Sequence, residues 1–236
     1  MQYMGGKARQ AKFVREIIAD MRGNRGRYLE PFMGGGSVFS AVAPDFSFAT
    51  GADASPALIA LWREAVYNKW QPPVDMTEDE YQALRVSTDN SALRGWAGYG
   101  ASYRGKWFAG FSGKATHRDY LAESARGLER KAAALRWHSG LSLVHAAYTE
   151  HVVTAGHVVY CDPPYAGTES YGAADEFDHA AFWDTAQAWS TMGALVLVHE
   201  YTAPEGWFSV FTRDRVEVMD RKSSGARPES LFMYNV

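Results

Sequence analysis

The sequence has 236 residues, enough for one α/β domain with an inserted subdomain, and its 47% hydrophobic content predicts a folded core. A net charge of −3 excludes a uniformly basic surface, and the single cysteine, Cys161, excludes an internal disulfide and a multi-cysteine metal site. The apolar runs, such as residues 194–198, are too short to cross a bilayer, and residues 1–7 lack the apolar centre of a signal peptide. We therefore expect a cytoplasmic protein with no membrane partner.

Residues 1–70 have the element order of half a doubly wound nucleotide-binding fold. Apolar positions at helical spacing, namely Phe13, Ile17, Ile18 and Met21, predict a first helix over residues 13–21. The elements predicted after it are a strand at 27–32, a glycine turn at 34–36, a helix from the N-cap Ser37 to Val42, a strand at 46–51 that leads to Asp53, and a helix at 56–69.

Two prolines at 72 and 73 mark a boundary, after which helices are predicted at 77–86 and 117–137 around a glycine- and aromatic-rich loop at 95–113. The strand pattern returns at 141–146, 158–161 and 194–199, with a helix at 177–192 and last strands at 216–220 and 231–235. We therefore predict an α/β, Rossmann-like sheet domain formed by residues 1–70 and 146–236. A mostly helical subdomain at 71–145 is inserted into it.

Charge is distributed unevenly along the chain. Residues 91–140 carry a net charge of +6, whereas residues 141–212 carry −9. The basic segment also holds Trp96, Tyr99, Tyr103, Trp107, Phe108 and Phe111. Basic groups interleaved with aromatic rings are typical of a surface that binds phosphates and bases, but a solvated helix face with aromatic residues in the core has the same composition.

The tetrapeptide Asp162-Pro163-Pro164-Tyr165 follows a short apolar strand, so it places a carboxylate at a strand end, where open α/β sheets bind ligands. The two prolines fix the backbone and remove two N–H donors, which leaves only carbonyl acceptors. An acceptor-only corner beside an aromatic ring suits a flat heterocycle with an exocyclic amine, such as adenine. The sequence therefore predicts a base-binding corner here.

A glycine turn at residues 30–37, Glu-Pro-Phe-Met-Gly-Gly-Gly-Ser, connects the first predicted strand to a helix. Glycines there allow close approach to a ligand, and Asp53, at the end of the next strand, suits ribose hydroxyls. No Gly-Lys-Ser/Thr sequence follows the turn, which disfavours a nucleoside triphosphate. An adenosine ligand without a phosphate chain remains open.

These motifs, together with Tyr3-Met4-Gly5-Gly6-Lys7, occur in an order that resembles the Dam-like (D12 class) DNA adenine methyltransferases. The resemblance implies transfer of a methyl group from S-adenosylmethionine to the 6-amino group of adenine in double-stranded DNA, with the target base flipped out of the helix. It implies a base site of Asp162, Pro163, Pro164 and Tyr165. It implies a cofactor site of Tyr3, Lys7, Phe32, Gly34, Gly36, Ser37, Asp53 and Asp162.

The inserted segment is then expected to read DNA. Its best candidates are Tyr103, Arg104, Lys106 and Trp107, because Arg and Lys suit guanine edges or phosphates. Arg221, Lys222 and Arg227 in a late loop are further phosphate candidates, although an ordinary solvated loop has the same residues. The 102–108 loop lacks the Asn-rich, Pro-containing stretch of the best-known relatives, so GATC recognition is not implied.

Several alternatives remain open at the level of sequence. The same corner would serve a cytosine 4-amino group or adenine in RNA, and a DNA-binding module could keep the fold without the activity. Neither the DNA target nor a nuclease partner can be inferred. We expect Cys161 to lie in the core, His199 to be structural rather than catalytic, and no metal to be used.

Overall fold

The computed structural model describes residues 1–115, 117–165, 177–213 and 228–235. The α/β fold class is confirmed: a seven-stranded, mostly parallel, Rossmann-like sheet has helices on both faces, and a two-stranded hairpin lies outside it. The strands are β1 (Arg27–Glu30), β2 (Phe48–Asp53), β3 (Lys114–Ala115), β4 (Arg118–Asp119), β5 (Leu141–His145), β6 (His157–Cys161), β7 (Leu195–Glu200), β8 (Trp207–Arg213) and β9 (Glu229–Tyr234).

The strand order in the large sheet is β5-β2-β1-β6-β7-β9-β8. From β5 to β7 all neighbours are parallel, whereas β9 is antiparallel to β7 and β8 is antiparallel to β9. The chain runs outwards from β1 through β2 to β5 and then returns to β6 on the other side of β1. Strand order therefore reverses between β1 and β6, and ligands of open α/β sheets bind at the carboxyl ends of the strands beside such a reversal.

Seven α-helices are found among the described residues: α1 (Ala11–Met21), α2 (Phe39–Val42), α3 (Pro56–Tyr67), α4 (Glu78–Val86), α5 (Ala92–Gly95), α6 (Tyr120–Leu135) and α7 (His179–Thr191). Side chains alternate between the two faces of each strand. In β1, Tyr28 faces the core formed with α1, α2, α3 and α6, while Leu29 faces a smaller core under α7. Cys161 is fully buried in the smaller core, as the sequence predicted.

One of the apolar residues on which the prediction of α1 rested lies at the surface. Ala11, Val14 and Ile18 are buried, whereas Phe13 is 44% exposed and stacks on Phe211 of β8 at a ring distance of 6.0 Å. The sequence pattern grouped Phe13 with Ile17, Ile18 and Met21 as apolar positions at helical spacing. Strand β8, which was not predicted, supplies the partner that Phe13 packs against at the surface.

Segment 71–145 does not form a separate layer. Its last part is strand β5, which pairs with β2 as the edge of the large sheet, and α6 packs into the same core as α2 and α3. The helical segment that interrupts the sheet therefore ends before Leu141. We propose a boundary at residue 140 instead of residue 145.

Two further predictions differ from the structure or lie outside it. Ser37 is not an N-cap: α2 begins at Phe39 after Val38, without a side-chain cap, and Ser37 Oγ instead accepts a hydrogen bond from Lys131. The strand predicted at 231–235 is confirmed as β9, but residues 216–220 lie outside the described residues.

Candidate active site

A cavity of about 740 Å³ opens where strand order reverses. Three carboxylates come to its wall from three strands: Glu30 ends β1, Asp53 ends β2, and Asp162 directly follows β6. All predicted cofactor and base residues line it, namely Tyr3, Lys7, Phe32, Gly34, Gly36, Ser37, Asp53, Asp162, Pro163, Pro164 and Tyr165. The tertiary structure thus brings together motifs that lie more than 150 residues apart in the chain.

The glycine turn has a backbone that other residues rarely adopt. Gly34 and Gly36 have φ values of +47° and +62°, and a Cβ on Gly36 would lie 2.5 Å from the buried ring of Trp62. The indole N–H of Trp62 donates to the Gly34 carbonyl at 3.0 Å. These glycines are therefore required by both conformation and packing.

Asp53 is fixed by the turn it faces. One carboxylate oxygen accepts the Gly34 N–H at 3.0 Å, and the other accepts the Ser55 N–H at 2.9 Å. Burial raises the pKa of Asp53, and the two backbone donors oppose this shift because they stabilise the charged form. The side chain is thus presented to the cavity in a single orientation, as a hydroxyl-binding residue requires.

Lys7 and Asp162 form an ion pair with a nitrogen–oxygen distance of 2.9 Å. The Lys7 side chain is only 6% exposed, and its ammonium also donates to the Gly5 carbonyl and lies 4.7 Å from the Tyr165 ring centre. Burial, followed by the charge of Asp162, raises the pKa of the Tyr165 hydroxyl, which therefore stays protonated. Tyr201 packs edge-on against Tyr165 at 4.7 Å, which limits the positions the Tyr165 ring can take.

Another part of the wall is aromatic. Phe32, Tyr148 and Phe177 contact one another with ring-centre distances of 5.6 to 5.9 Å, and all three line the cavity. Sequence analysis identified only Phe32, because Tyr148 and Phe177 lie in segments with no motif around them. Their relation to the site exists only after folding.

His199 is fully buried near the end of β7 and belongs to a polar cluster, two members of which line the cavity. Its Nδ1 lies 3.0 Å from the Tyr160 hydroxyl, and its Nε2 lies 3.9 Å from Glu229, which accepts a hydrogen bond from Gln10 at 2.8 Å. Burial, together with the positive charge of Lys7, lowers the pKa of His199 to about 3. The imidazole is therefore neutral near pH 7. Tyr160 and Glu229 line the cavity and were not predicted from sequence.

The predicted DNA-reading residues lie beside the cavity but do not line it. The Gly105 carbonyl accepts the Met4 N–H at 3.2 Å, so the 103–106 segment packs on the N-terminal motif. Tyr103 is 57% exposed and Arg104 is also exposed. Trp107 is half-buried against Tyr99, Phe108 and Arg94, which supports the core interpretation for that ring.

The late-loop residues, a metal site and a membrane span are the remaining features to locate in the structure. Arg221, Lys222 and Arg227 lie outside the described residues. Within the described ranges, no group of three or more His, Cys, Asp or Glu side chains is arranged to hold a metal ion. No helix in this part of the chain is both long and apolar enough to span a membrane.

A Rossmann-like sheet with a cavity at its strand-order reversal places the chain in a broad class of nucleotide- and cofactor-binding folds. Within that class, the family profile of the D12 class N6 adenine-specific DNA methyltransferases matches residues 3–91. The matched residues include the Tyr3–Lys7 element, the glycine turn and Asp53, which confirms the resemblance predicted from these motifs. The Asp162–Tyr165 corner lies beyond them.

Solved structures that align with this chain include provisionally assigned methyltransferases. The yhhF protein of Escherichia coli is 12% identical, with a TM-score of 0.42, over 97% of this chain and 87% of its own. A methylase from Haemophilus influenzae is 11% identical, with a TM-score of 0.39, over 95% and 87%. No curated protein is significantly similar to the chain in sequence.

Proposed function

We propose that the protein transfers a methyl group from S-adenosylmethionine to the 6-amino group of adenine in a specific sequence of double-stranded DNA. The observation that carries this proposal is the shared cavity, in which the Asp162-Pro163-Pro164-Tyr165 corner and the glycine turn with Asp53 form parts of one wall. A methyl donor on the turn and an amine in the corner would therefore occupy adjacent positions.

The residues of the cavity fit this cofactor. Asp53 is oriented for ribose hydroxyls, the Phe32, Tyr148 and Phe177 rings offer an apolar face for a purine, and residues 34–36 of the glycine turn line the cavity where the methionine end would lie. When bound, S-adenosylmethionine supplies an electrophilic methyl group on a sulfonium. The protein itself therefore does not have to supply the reactivity of the methyl group.

The protein's own part is to activate the amine. The lone pair of an adenine amine is delocalised into the ring, so the amine is a poor nucleophile. Hydrogen bonds from its two hydrogens to the Asp162 carboxylate and the Pro163 carbonyl would stabilise the positive charge that develops on nitrogen during attack. Lys7 holds the Asp162 carboxylate in place, and Tyr165 offers a ring for stacking, worth roughly 1–3 kcal/mol per base.

A base paired within a duplex cannot reach a strand-end corner, so the target adenine must be flipped, at a cost of roughly a few kcal/mol. Tyr103 and Arg104 would contact the DNA that surrounds the flipped base, and their exposure next to the cavity, within the segment of net charge +6, supports this role. Arg104 also has a left-handed backbone, with φ of 55°, which supports a functional constraint on this turn.

The test is methyl transfer from labelled S-adenosylmethionine to mixed-sequence duplex DNA, followed by digestion to nucleosides. We expect N6-methyladenine as the labelled product. Asp162→Ala should lower turnover by at least about a hundredfold, since it removes an acceptor of the developing charge, and Asp162→Asn should be less severe because it keeps one oxygen. Asp184→Ala, on the exposed surface of α7, is the matched control.

Circular dichroism and thermal unfolding establish that each variant is folded before its rate is compared. Near-normal turnover by folded Asp162→Ala would overturn the role of the corner. Labelled N4-methylcytosine, or label only in RNA, would overturn the acceptor. Tight DNA binding with no label in any base would favour a binding module instead.

A further inference from the structure

Helix α6 contributes one side chain to the glycine turn. The ammonium of Lys131 donates to the Gly35 carbonyl at 2.5 Å and to Ser37 Oγ at 2.9 Å. Gly35 and Ser37 line the cavity, whereas Lys131 lies outside the lining and reaches the turn from the helix. It belongs to the segment expected to read DNA, so it is a direct connection between that segment and the cofactor turn.

The turn needs such a support. Three consecutive glycines have wide backbone freedom, and the helix that follows, α2, has only four residues and no side-chain cap. The Trp62 and Asp53 bonds fix Gly34, but Gly35 and Ser37 have no comparable bond to the sheet among the described contacts. Lys131 supplies two charge-assisted hydrogen bonds at these two residues, and such bonds are roughly twice as strong as neutral ones.

The ammonium also brings a positive charge next to the turn. The charged and titratable groups that face it are Arg130 on its own helix, Glu30 on β1 and the amino group of Met1. Burial, followed by Arg130, lowers the pKa of Lys131 to about 8, and Glu30 opposes this shift. The charge is therefore present at neutral pH and is lost in mildly alkaline solution.

We propose that Lys131 is a positioning residue for the cofactor: it holds residues 35–37 in the shape that accepts the methionine end of S-adenosylmethionine and supplies a cation that favours its carboxylate. The proposal rests on the proposed function, because it takes S-adenosylmethionine as the ligand of the turn. It also makes cofactor affinity depend on the inserted helical segment.

The experiment measures S-adenosylmethionine binding by calorimetry without DNA, and turnover at saturating cofactor with DNA. Lys131→Met should weaken cofactor binding at least tenfold at pH 7, while kcat stays within about twofold of wild type. Arg130→Met, which removes an exposed cation one residue away on the same helix, should leave cofactor affinity unchanged. A general loss of folding would lower both the amount of cofactor bound and kcat, so it would not give reduced affinity with an unchanged kcat.

The pH dependence is a second readout. Wild-type affinity should fall as pH rises through about 8, because Lys131 loses its proton there. The cofactor's own amino group titrates in the same range, at about 7.7–8.0, so the readout is the extra loss in wild type relative to Lys131→Met. Should Lys131→Met not fold, Lys131→Gln, which keeps a donor, replaces it and should also lack the extra loss.

Three results would each overturn the inference. The first is wild-type affinity for the cofactor in folded Lys131→Met, and the second is an equal loss of affinity and kcat in that variant. The third is a pH profile of Lys131→Gln that is the same as that of the wild type. Failure of the wild-type protein to bind S-adenosylmethionine would instead overturn the proposed function. The two failures are therefore distinguishable.

Discussion

At the scale of single residues, the site depends on groups whose conformation is imposed by neighbours from distant parts of the chain. Asp53 is oriented by the Gly34 and Ser55 amides, and Asp162 is oriented by Lys7. Gly36 is constrained in another way, since both its φ of +62° and the Trp62 ring exclude a side chain. Residues of this kind have little tolerance for substitution, whatever their chemistry.

Gly36→Ala should destabilise the protein and weaken cofactor binding. The left-handed backbone costs an L-residue roughly 1–2 kcal/mol, and overpacking against Trp62 adds roughly 1–3 kcal/mol. Gly26→Ala is the control, because Gly26 lacks a positive φ and a Cβ there would meet nothing within 4 Å. Denaturant unfolding measures both, and an equal effect of the two substitutions would contradict the steric account.

At the scale of elements, local signals predicted most helices, and tertiary contacts decided the exceptions. Helix α4 begins after Thr77 with a capping box, in which Thr77 and Glu80 bond each other's backbone, and the helix was predicted from residue 77. Ser37 was expected to act in the same way, but its hydroxyl is bonded to Lys131 instead. A serine or threonine can therefore be predicted as a helix cap from local sequence only if no distant residue binds its hydroxyl oxygen.

Thr77→Ala should lower the free energy of unfolding by about 0.5–2 kcal/mol, because it leaves the backbone N–H of Glu80, in the first turn of α4, without its acceptor. Thr191→Ala removes an exposed hydroxyl that bonds Gln187 within the last turn of α7, and it should change stability by less than about 0.5 kcal/mol. Chemical denaturation compares the two. Equal changes would show that the capping box contributes nothing.

At the scale of the whole molecule, the sheet gathers a buried polar cluster of His199, Tyr160, Glu229 and Gln10 from four separate segments. Burial and Lys7 lower the pKa of His199 to about 3, against 6.5 for an unshifted histidine. Below pH 6.5 the unfolded chain takes up a proton that the folded protein does not. The stability that the protein gains by keeping His199 neutral in the fold is thus fully present above pH 6.5. It is lost as the pH falls towards 3.

The difference between wild type and His199→Asn isolates this effect from the titration of carboxylates. Wild type should lose roughly 1.4 kcal/mol more stability per pH unit between pH 6 and 4 than the variant does. Tyr160→Phe, which retains the imidazole, should retain the steeper slope. Parallel profiles for wild type and His199→Asn, measured by denaturant unfolding, would contradict a neutral buried imidazole.

The sequence by itself determined the class of fold and predicted a set of motif residues that line the cavity, because short motifs encode turns, strand ends and acceptor-only corners locally. The tertiary structure alone decided that Tyr148, Phe177 and Glu229 share the cavity, that β8 packs beside β9, and that Lys131 reaches the glycine turn. None of these contacts leaves a local pattern, since each depends on which segments the sheet order brings together. The same reason explains why Ser37 is not the predicted N-cap and why Phe13 packs at the surface, since their partners lie 94 and 198 residues away in the chain.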